Sequence, residues 1–593
     1  MSIEGESKAS GNDSGSARTF IQRTFAAITR IRPGPAYWII AAGVPTAVTA
    51  FHSAFYGQWI VDDAGLTFAY ARSLSSGDGP VLQPGAAPVE GFSSPAWAAV
   101  LVVGRWLGLF DHGAWAGTPD ILLFPKLAAL VFCFGTFSAM YAVAAKVSRR
   151  PMVVTIVAGT ATALVPSFVI WITSGLENGL FACVVTALAA VLARAALSAG
   201  MTTTRTAVVA GGLAALAALT RPDGLVYAAA FPLAAFLVAN RNTLRRTRIA
   251  CVISTAAFIV PVGAYLAWRL ATFGDYLPNT ARAKEQELPG LDAFDRPATL
   301  IVYAGWLAAL LWAAAVALAL RRGGPTATAV KVLLVPLSLA VLSYALLQPD
   351  WMAQHRFATP VWPLAALIGT LAAAQVLGSL STRGRWVSAT VAAVIAALTL
   401  SGFVNAARNF QKDPTAGLCD IAYNTGFLFN GFADILSVRD GSLLSVDGGG
   451  TSLTSRLRFV DLSGLTDRRI AGLWQRNDMN GLRNYIFDEL KPTFVKVFSG
   501  WAERDRLDLM GDERLERDYV MLLSGPPRGG RWVRREAVHD AMALDAARRW
   551  GEQVWNQVIL PRGEIVPTAW TCGDVLRPSP YRDGSPAPSP LTQ

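Results

Sequence analysis

Asp62 and Asp63 stand side by side a few residues beyond the first long apolar run of the chain, Tyr37 to Tyr56. Adjacent carboxylates at the edge of an apolar segment suit a general base, a divalent-cation ligand, or both, because taking a proton from a hydroxyl requires a carboxylate in a partly dehydrated place. The structural alternative is that the pair caps the positive end of the helix that follows. Other charged residues border apolar runs at Glu90, Glu177, Arg221 with Asp223, Asp275, Lys284, Asp350, and His355 with Arg356. Charge near membrane depth is costly and marks function. Some of these positions also have a plainer reading: Arg221 and Asp223 can pair inside a hairpin, Asp350 and Arg356 can pair across a short loop, and Glu177 can be a first-turn acid.

The elements that position these residues follow from composition. Of 593 residues, 53% are hydrophobic and 16% charged, with a mean hydropathy of +0.38. That excludes a disordered chain and argues against an ordinary soluble enzyme. Residues 405–593 carry 24 basic and 24 acidic side chains, whereas the twice-longer stretch 36–404 carries 23 and 14. A lipid-solvated module is therefore joined to a water-solvated one. The net charge of +11 lies outside the second part, which reads as a membrane-orientation signal and not as a nucleic-acid footprint.

Apolar runs at 37–56, 120–144, 151–166, 178–199, 206–219, 225–239, 249–270, 298–320, 330–347, 357–378 and 387–404 give eleven candidate spans. The stretch Pro95 to Phe110 carries Arg105 in its middle. If it lies along the surface, the clusters around Lys146, Arg205, Arg241, Arg321 and Arg383 all fall on the side of the N-terminal tail, as the positive-inside rule requires. The same parity puts every acidic residue of 36–404 on outer loops. Since acids barely influence insertion, a carboxylate-lined reaction site on that face is the natural cause; short inner loops with room only for Arg are the plainer one. Leu66, Tyr70 and Leu74 repeat every four residues, as in a short amphipathic helix lying on the membrane.

The expected organisation is a polytopic α-helical membrane protein of the cytoplasmic membrane. It comprises a disordered tail (1–35), a transmembrane module (36–404) with interfacial helices in its first outer loop, an extracytoplasmic mixed α/β cap (405–577) and a disordered tail (578–593). In the cap, alternation at Tyr485 to Phe487, Phe494 to Phe498 and Tyr519 to Leu523 suggests strands, Gly448 to Gly450 a turn, and Glu536 to Trp550 a helix. Cys419 and Cys572 are the two cysteines of the exported part, where a disulfide between them would persist. The five cysteines contain no CxxC pair, so zinc or iron–sulfur ligation has no support.

The order of motifs along one face carries a resemblance. An Asp62-Asp63 pair after the first apolar run is followed by Arg72, the Gly77-Asp78-Gly79 turn, Val89-Glu90-Gly91-Phe92, Ser94-Pro95 and Trp97. Then come Ser174-Gly175-Leu176-Glu177, Thr220-Arg221-Pro222-Asp223-Gly224, Phe273-Gly274-Asp275, Lys284, Asp350-Trp351-Met352, Arg356-Phe357, and Asp461 to Asp467. Over about 59–490 the chain resembles the polyprenyl-phosphate-sugar glycosyltransferases of the GT-C superfamily, and within them the actinobacterial arabinofuranosyltransferases of cell-wall arabinan. Three positions depart from the pattern: Gly65 where an aromatic residue is common, Ser93 before the Ser-Pro step, and Pro349 before Asp350.

The resemblance implies transfer of a sugar, arabinofuranose if it extends to that branch, from a lipid phosphate to a cell-envelope glycan, lipid or protein at the outer face. It implies Asp63 or Asp62 as base, and as metal ligands if a divalent cation takes part. It further implies Arg356, Lys284, Arg221 and His355 as the cluster holding the donor phosphate, and Glu90, Glu177, Asp223, Asp275 and Asp350 as substrate contacts. A multi-span transporter or flippase of envelope precursors is the rival, but its expected marks, broken helices in repeated halves with charges at mid-membrane, are not evident.

Overall fold

The computed structural model describes residues 35–284, 290, 293, 295–348, 351–502, 507–525, 529–561, 571–572 and 575–576. Both tails lie outside these residues, as do Asp350, Pro349, Glu285, Glu287 and Asp292. The first part of the chain is helical: α1 (Pro35–Ala54), α2 (Asp62–Ser76), α3 (Pro95–Trp106), α4 (Asp120–Val147), α5 (Pro151–Ala163), α6 (Pro166–Ile172), α7 (Asn178–Leu197), α8 (Thr204–Thr220), α9 (Ala230–Val238) and α10 (Leu244–Phe273). There follow α11 (Asn279–Ala283), α12 (Arg296–Ala304), α13 (Trp306–Arg322), α14 (Gly324–Leu346), α15 (Val361–Gly378) and α16 (Thr382–Lys412). A 3-10 segment, Pro222–Ala229, precedes α9.

All eleven apolar stretches contain helix. By length and composition, six helices among the described residues can cross a membrane: α4, α7, α10, α14, α15 and α16. Two bent pairs, α5 with α6 (80°) and α12 with α13 (98°), raise the number to eight. The bends have local causes. Pro166 opens α6 without an N–H to continue the α5 ladder, and Gly305, at φ +92°, breaks the chain between α12 and α13.

Beyond α16 lies a five-stranded sheet of β1 (Ser442–Ser445), β2 (Arg458–Asp461), β3 (Phe494–Phe498), β4 (Tyr519–Ser524) and β5 (Gly529–Arg534), in the order β2-β1-β3-β5-β4. The pairs β1·β2 and β1·β3 are parallel, and β3·β5 and β4·β5 antiparallel. Helix α17 (Gly449–Thr454) links β1 to β2, and α18 (Arg468–Gln475) follows β2. Two expectations fail here. Tyr485 to Phe487 is helical, continuing the turns from Met479, because three alternating residues are too few to outweigh the helix that precedes them. The helix expected from Glu536 starts at Ala541, where the Asp540 side chain caps it through the Met542 N–H.

Helix α2 does not lie with one face on lipid. Ala64, Phe68 and Ala71 join the core of the helical module, while Leu66, Tyr70 and Ala69 pack with Leu82, Phe92, Ala98 and the cap residue Phe459. It is clasped between the two parts of the molecule: Leu66 and Tyr70 of its four-residue repeat face the cap, and Leu74 packs against the helical module.

Candidate active site

The loop after α1 brings Val61 beside the turn after α6, where the Val61 N–H donates to Ser174 O at 3.0 Å. Gly175 makes that turn at φ +87°, and a Cβ there would lie 2.7 Å from Ile60 Cγ2; only glycine suits both demands. Trp97 of α3 fixes the turn by donating its indole N–H to Gly175 O at 3.0 Å. The acidic pair, the Ser-Gly-Leu-Glu motif and Trp97 thus form one unit.

The structure separates the two aspartates. Asp62 is buried, and its carboxylate accepts from the backbone N–H groups of Gly449 (3.1 Å) and Gly450 (2.7 Å) at the start of α17 in the cap. Burial raises its pKa well above the ordinary carboxylate value, the nearby Asp447 adds to the rise, and the two N–H donors oppose it. The approach is backbone to backbone: a Cβ on Gly449 would lie 1.7 Å from Asp62 O, and one on Gly65 would lie 2.6 Å from the Gly449 carbonyl carbon. An aromatic residue at position 65 would prevent this contact, which accounts physically for that departure. Asp63 is half-buried, and among the described residues no group hydrogen-bonds or ion-pairs with its carboxylate.

The cationic residues also divide. Arg221, at the end of α8, donates from Nη1 to Glu177 (2.8 Å) and from Nε to Asp223 (2.8 Å), all three largely buried. Its guanidinium lies 4.8 Å from the centre of the Phe357 ring, and that of Arg356 lies 4.7 Å from the same ring. Arg356 also faces the Trp171 ring at 5.8 Å, and Asn178 of α7 donates to its backbone carbonyl at 3.2 Å. One aromatic side chain therefore holds two guanidiniums. His355, at φ +51°, bonds Tyr344 through Nδ1 at 2.8 Å and meets Tyr303 edge-on; burial lowers its pKa, as does Arg296. Lys284 is exposed just after α11.

The remaining acids are tethers. Glu90 accepts from Arg269 at 2.6 Å and Tyr265 at 2.5 Å, both on α10. Asp275 pairs with Arg282 at 2.5 Å and with Arg468 of α18 at 3.2 Å, tying the helical module to the cap. Asp111 takes Arg72 at 2.6 Å through both oxygens, and Arg105 at 3.2 Å, which explains an arginine inside an apolar helix. Among the described residues, these acids are thus largely spent on pairing arginines. Among the described residues no three His, Cys, Asp or Glu side chains converge to hold a metal ion. Asp62 does not fit a metal ligand either, because its two oxygens face N–H donors.

In the cap, Cys419 and Cys572 form a disulfide across a Cα separation of 5.0 Å. Asp461, at the end of β2, is buried and accepts from Ser463 N (2.9 Å) and Thr466 N (2.8 Å); burial pushes its pKa up to about 6. Sequence reasoning missed the role of Gly448 to Gly450, which begin a helix that grips Asp62. The signal available was Gly65 itself, a small residue facing a run of small residues at a close crossing.

No family model matches the chain, and no curated protein matches it in sequence. In structure, apo ArnT from Cupriavidus metallidurans matches with a TM-score of 0.51 and 13% identity, covering 89% of this chain and 100% of that one. The chain shares the fold of that protein. The oligosaccharyltransferase of Archaeoglobus fulgidus gives 0.48 at 11% identity over 78% of this chain and 69% of that one. Arabinosyltransferase EmbB from Mycobacterium smegmatis gives 0.37 at 15% identity over 60% and 33%. At such identities the likeness is one of fold. Within this fold, Asp63 stands at the start of α2, and the Arg221–Phe357–Arg356 stack lies among the ends of α7, α8 and α14.

Proposed function

We propose that this protein is a glycosyltransferase that moves a sugar from a polyprenyl phosphate to an acceptor hydroxyl at the membrane face bearing the cap. The observation that carries the reading is the division of the acidic pair. Asp62 is consumed in holding the cap, whereas Asp63 keeps a half-exposed, unpartnered carboxylate on the same face as the stacked arginines. Such a carboxylate can take the acceptor proton as the glycosidic bond forms. Arg356 would hold the donor phosphate and stabilise its charge as it departs, with the exposed Lys284 as a second cation for it. ArnT, whose fold the chain shares, has also been seen bound to undecaprenyl phosphate.

Arg221 takes a supporting role in this scheme, since Glu177 and Asp223 already balance its charge; through Phe357 it orients Arg356. His355, held by Tyr344 and Tyr303, fixes the backbone turn before Arg356. The scheme uses eleven crossings, with α8, the Pro222–Val238 pair and α1 joining the eight longer spans, so that the cap and all the motif loops share the outer face of the cytoplasmic membrane. Arabinofuranose and a cell-envelope acceptor are the finer reading, resting on the motif resemblance. Incubating the purified protein with a panel of radiolabelled polyprenyl-phosphate sugars tests the proposal: one of them should be consumed with release of the lipid phosphate. Translocation of the intact lipid with no transfer product would replace the transferase by the flippase.

A further inference from the structure

At the far ends of the helices that carry the candidate active site there is a cationic groove. Its volume is about 410 Å3, and Trp38, Ser138, Tyr141, Lys146 and Arg194 line it. Helix α1 begins there, and α4 and α7 end there. The opposite end of α7 is Asn178, which touches Arg356. At 1.5 Å of rise per residue, α4 carries the chain roughly 40 Å from Asp120 to Lys146, about the thickness of a bilayer with its headgroups. Groove and candidate active site therefore belong to opposite membrane faces.

Lys146 and Arg194 are exposed, and among the described residues neither side chain has an ion pair or hydrogen bond. Among the described residues no acid neutralises them. The Ser138 hydroxyl is buried in the groove wall without a partner. A helical serine can bond the carbonyl of the preceding turn, as Thr136 does to Phe132 O at 2.9 Å; Ser138 instead leaves a donor open. Trp38, stacked against Phe134 with centroids 5.3 Å apart, and Tyr141 supply the amphipathic rings that settle at headgroup level. The groove also continues. Leu127, Val131, Phe134, Ser138 and Tyr141 recur at intervals of three and four along α4 and so form one stripe, whose deeper members Leu127 and Val131 are 47% and 68% exposed.

The geometry points to a binding site for an anionic phospholipid on the face opposite the candidate active site. Its phosphate sits against Lys146 and Arg194, the Ser138 hydroxyl donates to a phosphate or ester oxygen, and an acyl chain runs along the Leu127–Val131 stripe. A free phosphate would use the cations but leave the apolar stripe bare, and a zwitterionic lipid would bring its own cation against two others.

Native mass spectrometry of the full-length protein, delipidated in detergent and titrated with phosphatidylglycerol, phosphatidylcholine or inorganic phosphate, tests this. A cation near an anionic headgroup contributes about fivefold in affinity, so the pair should favour phosphatidylglycerol over phosphatidylcholine by about thirtyfold. Lys146→Gln with Arg194→Gln should bring the two lipids to parity, and Lys146→Arg with native Arg194 should keep the preference. Ser138→Ala, which changes no charge, should weaken phosphatidylglycerol by roughly fivefold. The proposal is overturned if the double variant retains phosphatidylglycerol like the parent, if phosphatidylcholine binds equally well to the parent, or if millimolar inorganic phosphate displaces the lipid, which would make the groove a free-anion site.

Discussion

Replacing Asp62 by alanine should undock the cap before it affects any chemistry. The Asp62 carboxylate accepts from two backbone N–H groups, at 2.7 and 3.1 Å, in a place closed to water. A hydrogen bond to a charged group contributes about 1.5 to 3 kcal/mol, and each buried N–H left unmet costs about 1 to 3 kcal/mol. Because burial and Asp447 already push the carboxyl pKa upward, part of that gain offsets desolvation. The net loss should be roughly 3 kcal/mol. Asp62→Asn keeps one acceptor oxygen but turns an amide N–H toward a backbone donor, so its cost should be about half. Limited proteolysis between α16 and β1, with thermal unfolding in detergent, reads the effect: the order of lability should be Asp62→Ala, then Asp62→Asn, then parent. Equal lability of Asp62→Ala and parent would show that the Gly449–Gly450 contact does not hold the cap and would refute the reasoning.

Three other features give further expectations. Arg221→Ala strands two largely buried carboxylates, Glu177 and Asp223, and should cost about 3 to 5 kcal/mol of stability in a thermal or denaturant scan. Asp461 has its pKa raised to about 6 by burial, so its protonated form favours the folded state. Its contribution is complete below the unfolded value near 3.9 and is lost as pH rises through 6. Cap stability should therefore gain about 1 kcal/mol from pH 7 to pH 5 in the parent relative to Asp461→Asn. The disulfide closes 153 residues, which in the chain-entropy model is about 5 kcal/mol; Cys419→Ser should lower the unfolding temperature of the cap, whereas reductant should not lower that of the variant further.

Much of the site could be read from spacing because its parts are local. The Ser174-Gly175 turn, the Arg221-Asp223 pair and the loop from Met352 to Arg356 each bring charged residues to a helix end within a few positions. What could not be read is whatever depends on partners hundreds of residues away. Asp62 and Asp63 are indistinguishable in sequence, and only the docking of Gly449 and Gly450 separates them. Glu90 looks like a substrate contact until Arg269 is found beside it, and Arg105 looks like a defect until Asp111 is. The apolar runs fixed where the helices are, but not which residues would join them across a bend, since Pro166 and Gly305 act through local geometry that hydropathy does not register. The four-residue repeat in α2 suggested one buried face; the cap supplied a second.

The most direct test of the central claim is turnover by Asp63→Asn, measured beside equilibrium binding of the polyprenyl-phosphate donor. The asparagine keeps the size of the side chain and removes its basic lone pair, and no described partner depends on the charge. Sugar transfer should fall by roughly 10² to 10⁴ while donor affinity and unfolding temperature stay at the parent values. Transfer at the parent rate would contradict the assignment of Asp63 as the base and, with it, the division of the acidic pair on which the proposed chemistry rests.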